Sequence, residues 1–160
     1  GVVNAVYNQA NMVLVVLDNS TTAMTGHQPH PGTGRTVMGE IVQKINIEQV
    51  LRGIGVTEIE TINPLELEAS VSCVKRMAEK SGVRAIIFKA PCIAVTKPKA
   101  PLHVDQDSCI GCKKCIRDLG CPAIVMNDGK ICIDASMCTG CHLCSQVCPV
   151  CAIAGGDDHE

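Results

Sequence analysis

Aromatic side chains are almost missing from this 160-residue chain, which has no tryptophan, one tyrosine (Tyr7) and one phenylalanine (Phe88). The stacking surfaces that hold unpaired bases are therefore absent, which argues against a nucleic-acid role. An excess of one charge is missing too. Fourteen basic and sixteen acidic residues are interspersed, the formal net charge is -2, and no polybasic tract is present for phosphate backbones or anionic lipid. Long apolar runs are also lacking. Met12 to Leu17 and Ile86 to Phe88 fall far short of a membrane span, and no charged-then-apolar leader precedes them. The expectation is a soluble, cytoplasmic protein with neither nucleic acid nor membrane as partner. The chain opens Gly-Val-Val-Asn-Ala-Val-Tyr, without methionine and in a helix-like pattern that has no capping residue, as the C-terminal piece of a longer protein would.

Cysteine, in contrast, is abundant and unevenly spread. Ten of the twelve cysteines lie from Cys109 to Cys151, and only Cys73 and Cys92 precede them. The two halves of the chain therefore follow different rules.

In the first half, residues 1–10 read as the end of a helix. Met12 to Leu17 reads as a strand buried on both faces of a parallel sheet, because it is continuously apolar and rich in valine. A helix near Ile47 to Gly53, a strand near Glu58 to Ile62, a turn at Asn63-Pro64, a helix from about Leu65 to Lys80 and a strand from Val83 to Phe88 follow. The last helix carries Leu67, Val71, Val74 and Ala78 near the 3.6-residue period, which makes them its expected core face. Alternating strands and helices indicate an α/β, doubly wound parallel sheet. Lys97-Pro98-Lys99-Ala100-Pro101 breaks the pattern and suits an extended linker. The expected organisation is one domain over 1–96, a linker over 97–103 and a second domain over 104–160.

The second half carries two related cysteine runs. Cys138-Thr-Gly-Cys141-His-Leu-Cys144-Ser-Gln-Val-Cys148-Pro149 matches the C-x2-C-x2-C-x3-C-P pattern of cubane iron-sulfur sites. Cys109-Ile-Gly-Cys112-Lys-Lys-Cys115 opens in the same way 29 residues earlier, but its Cys121-Pro122 comes after five residues instead of three. A tight C-x2-C-x2-C loop supplies three thiolates to one cluster, and in two-cluster ferredoxins the remote Cys-Pro ligand goes to the other cluster. That rule assigns Cys109, Cys112, Cys115 and Cys148 to cluster I, and Cys138, Cys141, Cys144 and Cys121 to cluster II. The longer gap before Cys121 leaves cluster II either a four-iron cubane or a three-iron species. Pro122 and Pro149 would stop the preceding turn and lead the chain away from the cube. Zinc knuckles pair two C-x2-C units without a third cysteine at the same spacing, and a disulfide framework sits badly beside an intracellular-looking α/β domain. Of the remaining cysteines, Cys73, Cys92 and Cys132 read as core thiols, and Cys151 as packing near cluster I.

Function in open α/β sheets collects beyond the carboxyl ends of the strands. After the first strand come Asp18-Asn19-Ser20-Thr21-Thr22-Ala23-Met24-Thr25-Gly26 and then His27-Gln28-Pro29-His30-Pro31-Gly32-Thr33-Gly34. Three glycines and two prolines between Gly26 and Gly34 mark a long loop of the kind that binds ligands. Asn19 and the carbonyl of Thr21 have the chemistry of hard oxygen ligands for Mg2+. Taken alone, Asp-Asn after a strand is also a common turn.

This loop, with a two-cluster ferredoxin unit downstream, resembles the C-terminal part of the alpha subunit of indolepyruvate:ferredoxin oxidoreductases, which depend on thiamine diphosphate. The resemblance covers essentially the whole chain. It implies the C-terminal portion of a thiamine diphosphate-binding fold followed by a bacterial ferredoxin-like α+β domain with two 4Fe-4S clusters. It also implies that Asn19 (side-chain oxygen) and Thr21 (backbone carbonyl) hold the magnesium of the cofactor diphosphate, and that Met24, Thr25 and Gly26 line the thiazolium side. The family's Gly-Asp pair, with an aspartate ligand, would fall before Gly1. His27 and His30 are expected to be plain loop residues, with His27 at most a supporting group.

The implied reaction is oxidative decarboxylation of an aryl 2-oxoacid with coenzyme A, with electrons passed through the clusters to external ferredoxin and with a second (beta) subunit as partner. Two other readings stay open. One is a ferredoxin-type electron-transfer module with an α/β docking domain, and the other is an oxidoreductase for pyruvate or for 2-oxoacids in general.

Overall fold

The computed structural model describes residues 1–155. Two compact units divide the chain, Gly1–Thr96 and Lys97–Glu160.

The first unit contains α1 (Val2–Tyr7), β1 (Met12–Asp18), α2 (Ile47–Ile54), β2 (Glu58–Ile62), α3 (Leu67–Glu79) and β3 (Val83–Lys89). All three strands are parallel in the order β1-β3-β2, with Met12 opposite Val83 and Glu58 opposite Arg84. The apolar run of β3 suits this central position. Ala85 and Ile87 turn to one face and pack with Leu51 and Val56 of the α2 region and with Val2 and Val6 of α1. Ile86 turns to the other face and packs with Cys73 and Met77 of α3. Helices thus cover both faces of a parallel sheet, as a doubly wound fold requires. Local chemistry sets the ends of α2, where Asn46 Oδ1 accepts from the Gln49 N–H and Gly55 closes the helix in the left-handed region at φ 103°.

Two expectations for this unit need correction. Strand β1 is not buried on both faces: it pairs only with β3 among the described residues, and Val15 and Leu17 are 48% and 75% exposed. Among the described residues β1 is the outer strand, and α3 covers Val13 but not the later residues of that face. The core face of α3 is formed by Cys73 and Met77, both fully buried, whereas Val71 and Val74 are exposed. A 3.6-residue period fits either stripe, and packing against Ile86 selects the one that carries the larger Met77. Of the other two expected core thiols, Cys92 and Cys132 are only half-buried.

The second unit contains β4 (Leu102–Val104), α4 (Lys114–Leu119), β5 (Ile124–Asn127), β6 (Lys130–Ile133), α5 (Leu143–Val147) and β7 (Ile153–Gly155). Strand β4 pairs antiparallel with β7, and β5 with β6. Asp128-Gly129, both at positive φ, forms the two-residue hairpin turn that joins β5 to β6. Pairing the first strand with the last brings the ends of the unit together, and α4 lies against α5. Leu102 and His103 of the 97–103 stretch belong to β4, where Leu102 is buried.

Candidate cofactor sites

The first site forms at the carboxyl end of β1. Ser20 at φ 62° reverses the chain immediately after the strand. Asp18 Oδ1 accepts from the Ser20 N–H at 3.1 Å, and Asn19 Oδ1 accepts from the Thr21 N–H at 3.2 Å. The corner after β3 fastens this turn from the neighbouring strand: the Ala90 N–H donates to the Asp18 carbonyl and the Cys92 N–H to the Asn19 carbonyl. Thr21 is buried, and its carbonyl oxygen accepts no hydrogen bond among the described residues. A carbonyl to which no neighbouring N–H donates keeps its lone pairs available to a ligand. Asn19 Oδ1 has one lone pair engaged and a second one open. The pair of oxygens therefore fits a hard cation, which takes amide and carbonyl oxygens.

Beyond Thr21 the chain forms a short 3-10 turn at Ala23–Thr25 that ends in Gly26 at φ 104°. Met24 is completely exposed. Gln28 folds back on this turn, since its side chain bonds the Thr25 carbonyl and the Thr25 hydroxyl. His27 sits at φ 61°. His30 Nδ1 accepts from the Gly32 N–H, so its role is within the loop. On the α2 side of the same sheet edge lies a cleft of about 810 Å³, mouth included, bordered by Asp18, Gly32, Lys44, Asn46, Thr61 and Lys89. Lys89 approaches Asp18 at 3.9 Å.

The second site comprises two sets of cysteines. Cys109, Cys112, Cys115 and Cys148 line one pocket of about 330 Å³, open solvent at its mouth included, together with Lys113 and Pro149. Burial pushes the Cys115 thiol up, the N–H of Ile116 opposes that shift, and the nearby Cys112 and Cys148 add to it. The Cys144 thiol is pushed up to about 11, by burial first and then by Cys141, Cys138 and Cys121. The first run's three thiols thus share a pocket with the second run's Cys-Pro thiol, and Cys121 is close enough to Cys144 to act on its charge, although among the described residues no three of these side chains are drawn together around a single metal-ion position. Several thiolates cannot crowd together without a compensating positive charge, and iron supplies one. The donor sets fit sulfur-ligated clusters.

Backbone geometry repeats between the runs. Gly111 and Gly140 lie at φ 66° and 68°, and Lys113 and His142 at 60° and 61°, immediately before α4 and α5. The two extra residues before Cys121 are accounted for locally. Helix α4 runs one residue further past its cysteine than α5 does, and Gly120, left-handed at φ 56°, then adds the second. Cys121 thus lies near enough to Cys144 to add to the rise of its thiol despite the longer gap. The Ala152 N–H donates to Cys148 Sγ at 3.2 Å, a contact that the left-handed Cys151 at φ 51° precedes. Cys151 itself is exposed. Spacing alone gives no sign of that sulfur-directed N–H, because it depends on the φ of a non-glycine residue.

Residues 1–88 match the family model described as thiamine pyrophosphate enzyme, C-terminal TPP binding domain. The chain belongs to this family. Residues 102–149 match a 4Fe-4S dicluster domain. Among curated proteins, the chain is 45% identical over 153 residues to the indolepyruvate oxidoreductase subunit IorA of Methanothermobacter thermautotrophicus, covering 94% of this chain and 25% of that protein. It is 40% identical over 157 residues to the subunit of the same name from Archaeoglobus fulgidus, with 94% and 25% covered. The Thermococcus kodakarensis subunit is 40% identical over 163 residues, with 91% and 24% covered. The chain thus spans about a quarter of the length of these relatives. No solved structure gives a significant match. The chain therefore joins a thiamine diphosphate-binding domain to an iron-sulfur domain, in a molecule whose described residues include no helix long and apolar enough to cross a membrane.

Proposed function

We propose that this chain is the cofactor-binding and electron-relay portion of an indolepyruvate:ferredoxin oxidoreductase, which converts an aryl 2-oxoacid and coenzyme A to an acyl-CoA and carbon dioxide and passes two electrons to external ferredoxin. The observation that supports it is the turn at Asn19 and Thr21, with its two open oxygens, in the same chain as two four-thiol sets. When bound, thiamine diphosphate supplies the electron sink for decarboxylation, and the 4Fe-4S clusters store single electrons at low potential.

The chain's own residues bind and orient these groups. Asn19 Oδ1 and the Thr21 carbonyl hold Mg2+ against the diphosphate, and the Ala90 and Cys92 N–H groups keep that turn from shifting. Met24, Thr25 and Gly26 border the thiazolium side. Cys109, Cys112, Cys115 and Cys148 ligate cluster I, and Cys138, Cys141, Cys144 and Cys121 ligate cluster II, with four thiols in the second set favouring a four-iron species. A second, beta subunit completes the enzyme, and the cytoplasm is its compartment.

The test is Asn19→Ala in the full-length enzyme with its partner subunit. Half-saturation by thiamine diphosphate and magnesium should move to at least roughly tenfold higher concentration, the loss expected for one charge-assisted ligand. The iron-sulfur absorbance should be unchanged, because the clusters have their own ligands. Unaltered cofactor demand would remove Asn19 from the site and return the first unit to a docking role.

A further inference from the structure

The two cysteine runs share a backbone, yet their surroundings differ. In the second run the loop Thr139-Gly140 is covered from within its own unit: the Lys99 N–H donates to the Thr139 carbonyl at 3.2 Å. Gly140 is buried so closely under Lys99 and Ala100 that an added Cβ would meet them at 2.7 Å. The matching loop of the first run, Ile110-Gly111, lies open. Gly111 has nothing within 4 Å of an added Cβ, and Ile110 is 65% exposed. Cys112 is exposed where its counterpart Cys141 is half-buried.

Charge divides the runs in the same way. From Cys138 to Cys151 there is no Asp, Glu, Lys or Arg, whereas Lys113, Lys114 and Arg117 fall between Cys109 and Cys121 with Asp118 as the only acid. All three cations are exposed, and none pairs with a carboxylate among the described residues. Ile110, Cys112 and Lys113 border the same four-thiol pocket and Lys114 and Arg117 follow three residues apart on α4, so an exposed cysteine, an exposed isoleucine and three cations without a carboxylate partner among the described residues lie within eight residues of chain.

We propose that this face, built from Ile110, Cys112, Lys114 and Arg117, is the docking surface for a small acidic electron-carrier protein, and that the first-run cluster is the point from which electrons leave the chain. This rests on the electron-relay reading above. Cations around an exposed redox centre steer an acidic carrier by long-range attraction, and the apolar Ile110 supplies the contact that exclusion of water rewards. Electron-transfer encounters are small and transient, so a patch of this size suffices. The second run has no exposed ligand cysteine, and Lys99 and Ala100 lie over its loop, which leaves it as the inner of the two centres.

The experiment uses the full-length enzyme with its second subunit and compares an acidic two-cluster ferredoxin with methyl viologen as acceptors. Lys114→Glu combined with Arg117→Glu should raise KM for ferredoxin roughly tenfold, as reversal of two exposed charges predicts. It should also flatten the fall of the ferredoxin rate with rising salt. The viologen rate and the iron-sulfur spectrum should stay as they were, which also shows that the variant folds. Lys114→Gln should give a smaller shift in the same direction. An unchanged ferredoxin KM with an intact viologen rate would overturn the docking face alone. A doubly substituted chain that no longer binds its second subunit would also overturn it, by showing that the subunit covers this face. An unsubstituted enzyme that reduces neither acceptor would instead sink the relay function on which the proposal rests.

Discussion

Cys148 shows most clearly how single residues carry this molecule. In sequence it closes the second run, four positions after Cys144, but in space it lines a pocket with Cys109, Cys112 and Cys115. Its sulfur also receives the Ala152 N–H. Cys148→Ala should therefore remove the cluster built on the first run. Reconstituted variants of the whole enzyme should show Cys148→Ala and Cys112→Ala retaining the same remaining paramagnetic signal, distinct from the one retained by Cys141→Ala. If Cys148→Ala instead shares its residual signal with Cys141→Ala, each run closes on itself and the crossed ligation is wrong. The nearness of Cys148 to the first run was legible in the cysteine spacing, because a C-x2-C-x2-C loop leaves a fourth position that its own helix cannot reach. The free carbonyl of Thr21 was not legible in the same way, since every residue has a carbonyl and only the folded turn shows which one lacks a donor.

At the scale of elements, strand positions were readable because continuous apolar runs such as Met12 to Leu17 have few alternatives in an α/β chain. Helix faces were less so. Cys73 and Met77 occupy the core side of α3, while Val71 and Val74, equally apolar and equally well spaced, face outward. The difference arises from the neighbouring sheet, which the helix sequence does not contain. Met77→Ala should cost about 2–5 kcal/mol, since it leaves a cavity beside Ile86, and should lower the thermal midpoint of the first unit. Val74→Ala, on the exposed side, should change stability by no more than about 0.5 kcal/mol. Equal losses at the two positions would mean that the helix is rotated from the orientation described. The edge position of β1 was hidden for a related reason: a run of valines reads the same in an edge strand as in a central one, and Val15 and Leu17 are exposed only because no element covers them among the described residues. The two extra residues before Cys121 also acquire a meaning only at this scale, as one further helical residue and a left-handed Gly120.

For the molecule as a whole, the two units have separable chemistry: one presents oxygens at the end of a parallel sheet, the other presents sulfurs in two cysteine runs. A chain that only docked a partner would need no open acceptors at Thr21, and a chain that only bound thiamine diphosphate would need no thiols in sets of four. Electrons released at the first unit should arrive in the second. Rapid mixing of the full-length, cofactor-loaded enzyme with indolepyruvate and coenzyme A under anaerobic conditions, followed by freezing and electron paramagnetic resonance, tests it directly. Reduced-cluster signals should grow with substrate and be lost in Asn19→Ala at ordinary cofactor concentration. Clusters that remain oxidised in the unsubstituted enzyme after substrate addition, yet are reduced by dithionite, would contradict it.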